Sequence, residues 1–518
     1  MCMSRDNFLA FSLFTVSTVG FFVWGYDYIP SHHFLLFTIA TLFGLFMAFN
    51  IGGNDVANSF GTSVGAKTIT LKQALIIAAI FELSGAIFAG GEVTRTIRQG
   101  IVQMPITEFD PMLFVAVMLA ALLSAGLWLL FASKRGLPVS TTHSIVGGIV
   151  GGSIALGYVV TGGESSLSMV NWGKIGQIAM SWVVSPVLGG ILSYIVYYYI
   201  KKNILVPTEK AVDVLKRMKK SRKAYKEQYA NALRHKSDEE QIEALRHLAM
   251  YDEEDHNGGL GNETDFQKRI KAMKKREKQI DTFGTLRRNI PIVGALAAVS
   301  VASMLLFKGL NNLKMEISTI ETIWIIFLIG TAAYLVSLAI VNIMSKSDAQ
   351  KSTTRIFAWL QIFTASAFAF SHGANDIANA IGPFAAVLDV LKTGMINSHA
   401  PVPLIAMATF GVSLIVGLWF LGKEVITTVG SRLAEILPVT GFSAELAASL
   451  VILLATAFGI PVSSTHILIG AVLGIGVLNK DANWKLMRPI ALAWVITLPV
   501  AGFSSAFFFF VLKAAMGL

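Results

Sequence analysis

A chain of 518 residues with 54% hydrophobic and 14% charged side chains, at a mean hydropathy of +0.62, has too little charge to cover a soluble protein of that size. One cysteine, Cys2, excludes disulfides within the chain and cysteine-based structural zinc. The net charge of +10 is concentrated: Lys201 to Arg288 holds 22 basic against 15 acidic residues, a surplus of 7.

The apolar residues come in blocks long enough to cross a hydrocarbon core about 30 Å thick. The first, Phe8 to Tyr26, lacks a small-x-small cleavage pattern and reads as a retained helix rather than a signal peptide. Further spans are predicted over 34–50, 71–91, 111–132, 140–160 and 171–199. A charged segment follows. Lys201, Lys202, Lys216, Arg217, Lys219 and Lys220 flank it on one side, and Lys274, Lys275, Arg276, Arg287 and Arg288 on the other. These flanks place it in the cytoplasm. Acidic residues interleave throughout, which argues against a nucleic-acid surface. Thr208 to Met250 and Asp265 to Asp281 read as charged soluble helices, with a break at His256 to Gly261. The acidic run Asp252-Glu253-Glu254-Asp255-His256 reads as solvated surface rather than a metal site. Asn262-Glu263-Thr264 fits a glycosylation pattern, which a cytoplasmic segment never presents to that machinery. Spans then resume over 289–307, 322–344, 355–371, 402–421, 445–460, 465–478 and 489–513.

The expected class is therefore an all-α polytopic membrane protein of about 12 transmembrane segments. It has three parts: a membrane half over 1–200, a cytoplasmic helical segment over 201–288 and a second membrane half over 289–518.

The two halves repeat. Phe49-Asn50-Ile51-Gly52-Gly53-Asn54-Asp55-Val56-Ala57-Asn58 recurs as Phe370-Ser371-His372-Gly373-Ala374-Asn375-Asp376-Ile377-Ala378-Asn379, at an offset of 321. Gly136-Leu137-Pro138-Val139-Ser140-Thr141-Thr142-His143 recurs as Gly459-Ile460-Pro461-Val462-Ser463-Ser464-Thr465-His466, at an offset of 323. Seven steps separate the equivalent helices 34–50 and 355–371. An odd count predicts inverted repeats with broken or re-entrant helices.

Each motif carries a distinct chemistry. Glycines after an apolar run let the backbone leave helical geometry, which is tolerated at membrane depth where it lines a cavity. Freed carbonyls with Asn54, Asp55 and Asn58, and with Asn375, Asp376 and Asn379, suit a hard cation such as Na⁺. The competing reading is that these residues cap the following helices. In the second motif pair, Pro138 and Pro461 stop one helix. Ser140, Thr141 and Thr142, like Ser463, Ser464 and Thr465, open the next. A helix N-terminus with hydroxyls is an oxyanion site, and two meeting on a pseudo-two-fold axis enclose one tetrahedral anion. None of the four motifs contains Lys or Arg, so cations and dipoles must neutralise the anion. His143 and His466 shuttle protons, contact the anion or simply pack. Glu82 and Glu445 lie in apolar runs and must be paired or face a cavity. No zinc-hydrolase spacing and no nucleophile elbow is present, which disfavours an enzyme.

At these motifs the chain resembles the PiT family of inorganic phosphate transporters, whose signature Gly-Ala-Asn-Asp-Val-Ala-Asn occurs once per half. Gly53 stands where that signature has Ala. The resemblance covers both membrane halves and leaves out the central segment. It implies symport of phosphate with Na⁺ or H⁺, the two Asp residues near coupling ions and the Ser/Thr turns near phosphate; the duplicated motifs make Na⁺-coupled alternating access the expected mechanism. It also makes Glu82 and Glu445 candidate transport acids. Asn58-Ser59-Phe60-Gly61-Thr62-Ser63-Val64-Gly65 with Phe81-Glu82 is similar to the sodium-coupled branch. Competing expectations are proton-coupled carriage of metal-phosphate or sulfate, and a phosphate sensor that signals through the central segment. No cofactor is expected beyond the co-transported Na⁺ or H⁺. The expected partners are phosphate and the lipid bilayer of the plasma membrane, with no nucleic acid; a homodimer is allowed.

Overall fold

The computed structural model describes residues 5–103, 109–244, 264–308, 318–345, 347–397, 402–432 and 436–518. Helices are numbered in chain order. The first half supplies α1 (Arg5–Tyr28), α2 (Phe34–Ile51), α3 (Ala57–Gly65), α4 (Leu71–Ala89), the short α5 (Gly91–Arg95), α6 (Pro111–Lys134), α7 (Thr141–Thr161) and α8 (Trp172–Ile200). The charged segment supplies α9 (Val206–Arg234) and α10 (Asp265–Gln279), and α11 (Gly284–Lys308) returns to apolar sequence. The second half supplies α12 (Thr319–Met344), α13 (Ala349–Asp376), α14 (Ala378–Thr393), α15 (Leu404–Arg432), α16 (Pro438–Ala457), α17 (Ser464–Asn479) and α18 (Trp484–Met516).

Among the described residues 11 helical spans are long and apolar enough to cross a membrane, and Ser464–Asn479 is a shorter apolar helix. Seven of these spans run from the one containing α2 to the one just before α13. That odd number is the one the inverted-repeat expectation requires.

Two compact units share the chain: Met1–Tyr198 with Gly294–Tyr334 and Thr354–Leu518, and Tyr199–Val293 with Leu335–Thr353. In the second unit α9 and α10 pair. Tyr229 stacks on Phe266 at 3.9 Å, and Arg222 bonds Glu277 at 2.9 Å. The helix expected over Thr208 to Met250 stops at Arg234. Ser237 begins a new one there, its carbonyl accepting from the Gln241 N–H at 3.0 Å, with Asp238, Glu239 and Glu240 in the first turn. A serine followed by acids is a helix start, and it outcompetes continuation. The acidic run 252–256, the break at 256–261, Asn262, Glu263 and Cys2 lie outside the described residues.

In the first unit the halves interlock. α7 packs on α18: a Cβ on Gly151 would strike the Gly502 carbonyl, and one on Gly147 the Leu498 carbonyl. α17 packs on α8 in the same way, Gly474 against Gly190 and Gly470 against Pro186. Each half therefore lends its last helix to the other half's Ser/Thr-turn helix. Such close backbone approach is how helices associate where lipid is as apolar as leucine. Ser193 adds a 2.7 Å bond to the Ala471 carbonyl. An aromatic cluster also spans the halves, with Phe21 and Phe37 from α1 and α2 packed on Phe384 and Phe410 from α14 and α15.

Candidate functional site

The Ser/Thr turns are built identically. α6 ends in a Schellman motif: the Leu137 N–H bonds the Ala132 carbonyl at 3.0 Å and the Gly136 N–H the Ser133 carbonyl at 2.9 Å. Gly136 has φ of 62°, which a glycine accepts without strain. α16 ends the same way, Ile460 on Ala455 and Gly459 on Thr456, with Gly459 at φ of 63°. Proline then blocks continuation. Ser140 caps α7 by accepting from the His143 N–H at 3.1 Å, and Ser463 caps α17 by accepting from the His466 N–H at 3.3 Å.

The acidic motifs sit where helices are interrupted. In the first half Gly52–Val56 is a π-helical turn joining α2 to α3, a distortion common at functional sites. In the second half Ile377 alone separates α13 from α14. The expected break therefore takes the form of a π turn in one copy and a one-residue interruption in the other.

The motifs converge. Asp55 Oδ2 accepts from the Thr141 hydroxyl at 2.5 Å, and Asp376 Oδ2 from the Ser464 hydroxyl at 2.5 Å. Other bonds cross between halves. The Thr465 hydroxyl donates to Asp55 Oδ1 at 2.8 Å, and the Asn379 amide donates to Thr141 and Thr142 at 3.1 and 3.2 Å. The Thr142 hydroxyl reaches the Val462 carbonyl at 2.8 Å, so the N-termini of α7 and α17 meet. Asp55 and Asp376 are 1% and 0% exposed. Asp376 Oδ1 and Asn379 Oδ1 are buried oxygens with no hydrogen-bond partner. The Asn58 side chain lies outside the described residues.

His372 completes the cluster. Its Nδ1 lies 2.7 Å from Glu82 Oε2 and its Nε2 2.8 Å from Asp376 Oδ2. Ligand atoms of Asp55, His372 and Asp376 lie within 4.8 Å of one another, close enough to share one ion. His372 was not singled out from the sequence. The signal was its position: it stands in the repeat where the first copy has Ile51.

Glu445 forms a separate polar centre. Its Oε1 accepts from Thr62, Ser63 and Gln361 at 2.5, 2.6 and 3.2 Å, and its Oε2 from Thr364 at 2.8 Å. These are four uncharged donors, so Glu445 is stabilised by hydroxyl and amide dipoles. Glu82 is paired, with His372. Thr364 and Gln361 carried no sequence signal, because single polar residues in an apolar helix are common.

His143 and His466 make aromatic contacts. Their rings are 4.5 Å apart at 87°, and each packs on an indole, Trp182 at 3.9 Å and Trp494 at 3.7 Å. The hydrogen bonds that join the acidic motifs to the Ser/Thr turns use hydroxyls and amides.

The chain as a whole has relatives. A model of the phosphate transporter family matches residues 51–505. A protein of Mycobacterium bovis named "Putative phosphate permease" is 49% identical over 96% of this chain and 91% of its own length. One of the same name from Pyrococcus abyssi is 34% identical, over 92% of this chain and 98% of its own length. A solved structure titled "The sodium-dependent phosphate transporter" superposes with a TM-score of 0.69 at 30% identity, covering 93% of this chain and 99% of that one.

Proposed function

The chain belongs to the phosphate transporter family, a multi-pass membrane carrier of inorganic phosphate rather than an enzyme, and from that membership we propose that it is a Na⁺-coupled symporter working by alternating access in the plasma membrane. One observation carries the reading: the Thr465 hydroxyl of one half donates to the carboxylate of Asp55 in the other. The hydroxyls that suit phosphate are held by the carboxylates that suit cations.

The coupling follows from that shared bond. Na⁺ is a hard ion and takes the oxygens of Asp55, Asp376 and Asn379, together with Asn58. Once a cation satisfies the carboxylates, the hydroxyls of Thr141, Ser464 and Thr465 turn to phosphate. Ser140 and Ser463 hold the two helix starts, and the positive ends of α7 and α17 face the anion. Two carboxylates without cations repel the phosphate; two neutralised carboxylates accept it. Binding of either cargo then raises the affinity for the other. His143 and His466 serve as packing groups at this point. Glu82, through His372, sets the charge beside Asp376, and Glu445 is a second transport acid.

The test is radiolabelled phosphate uptake into proteoliposomes under an inward Na⁺ gradient or an inward proton gradient. The reading requires uptake under Na⁺. Uptake driven by protons alone overturns Na⁺ coupling in favour of proton-coupled carriage. Binding without flux overturns transport in favour of a sensor.

A further inference from the structure

The residue before each carboxylate has a task of its own. Proline has no N–H, so the turn around Pro138 leaves two peptide groups outside any helix ladder, the part-buried Leu137 carbonyl and the buried Val139 N–H. Asn54 serves both. Its amide nitrogen donates to the Leu137 carbonyl at 3.0 Å, and its amide oxygen accepts from the Val139 N–H at 3.1 Å. The same nitrogen donates to Ser133 Oγ at 3.0 Å, in the last turn of α6. Asn375 repeats all three bonds in the other half: the Ile460 carbonyl at 3.3 Å, the Val462 N–H at 3.2 Å and Thr456 Oγ1 at 2.9 Å. Both asparagines are fully buried.

An amide has two N–H groups and one oxygen to offer, and here they are turned to the proline turn of the same half. Bonds between halves are made by other residues, among them Thr142, Asn379, Thr465 and His372. The site therefore holds two kinds of bond. Within a half, asparagine reads backbone and is indifferent to cargo. In the second kind hydroxyls hold carboxylates, Thr141 and Thr465 on Asp55 and Ser464 on Asp376, and cargo can exchange them.

We propose that Asn54 and Asn375 are positioning residues rather than the cation ligands expected from their motif. Each locks the Pro-Val-Ser turn of its half to the acidic turn, so that a cation on the carboxylate and phosphate at the helix N-terminus share one rigid frame. This rests on the symport reading above. A lost bracket loosens the phosphate side and leaves the cation ligands in place.

The experiment uses the full chain in proteoliposomes. Phosphate KM and cation half-saturation are each measured at saturating levels of the other, with the driving cation taken from the wild type. The variants are Asn54→Ala and Asn375→Ala, with Ser133→Ala and Thr456→Ala as milder probes that remove only the amide's remote partner. The expected result is a phosphate KM raised about tenfold in the asparagine variants and about threefold in the others, a loss of one or two hydrogen bonds. Cation half-saturation stays within about twofold throughout. Cation half-saturation raised tenfold or more in Asn54→Ala and Asn375→Ala, with Ser133→Ala and Thr456→Ala unchanged, overturns the proposal, and so does an unchanged phosphate KM. If the asparagine variants do not fold, the milder pair decides by the same KM criterion. Failure of the symport reading shows first, as a wild type without cation-driven uptake. Phosphate binding to purified protein then decides: weaker binding by Asn54→Ala supports positioning, and equal binding overturns it.

Discussion

Thr141 and Thr465 place hydroxyls on the two oxygens of one carboxylate, that of Asp55. A carboxylate at membrane depth is costly unless it is satisfied, and these hydroxyls satisfy it. Asp55→Asn and Asp376→Asn are expected to lower phosphate uptake at least about a hundredfold while the protein still purifies as a folded species, because they remove charge and keep shape. Thr465→Val removes one donor at nearly constant volume and is expected to raise phosphate KM about tenfold, measured by initial-rate uptake. Glu445 separates fold from function. Glu445→Ala strips four donors of their acceptor and is expected to cost about 2–5 kcal/mol in thermal unfolding, whereas Glu445→Gln keeps the fold and loses uptake. At this scale the sequence was legible where it repeated. Asp55, Asp376, Ser140 and Ser463 were identifiable because each occurs twice in register. His372, Thr364 and Gln361 have no polar counterpart in the other copy, and contacts between positions 290 or 84 apart leave no local pattern.

At the scale of elements, the turn is the informative unit. Gly-x-Pro-x-Ser is a stop, a block and a start in five residues, and the structure repeats it with the same bonds at Gly136 and Gly459. Local chemistry dictates such a turn, so it was readable. The π turn at Gly52–Val56 was readable only as a break, since its form depends on packing against α15. The exchange of last helices was not legible, because glycines announce close approach without naming the partner. It is testable: Gly151→Val and Gly474→Val put side chains into the Gly502 and Gly190 backbones. Each is expected to cost about 1–3 kcal/mol of stability by overpacking, seen as a lower unfolding midpoint, with similar losses in the two halves.

At the scale of the molecule, two interlocked halves bring their motifs together, and the charged pair α9 and α10 supplies none of those residues. Composition announced the membrane and the repeat announced the halves. The interlocking came from long-range packing that only the structure reveals. Replacing 206–281 by a short flexible linker removes α9 and α10 but none of the site residues. Phosphate uptake per folded molecule is therefore expected to stay within about twofold of wild type; a larger loss would give the hairpin a part in transport. The central claim is that cation and phosphate occupy one composite site and move together. Linkage makes this reciprocal, so the most direct measurement runs the coupling backwards. Proteoliposomes are given an inward phosphate gradient with equal Na⁺ on both sides, and radiolabelled Na⁺ entry is followed. The account predicts Na⁺ accumulation above equilibrium in wild type and none in Asp55→Asn. Phosphate entering without net Na⁺ movement would contradict it.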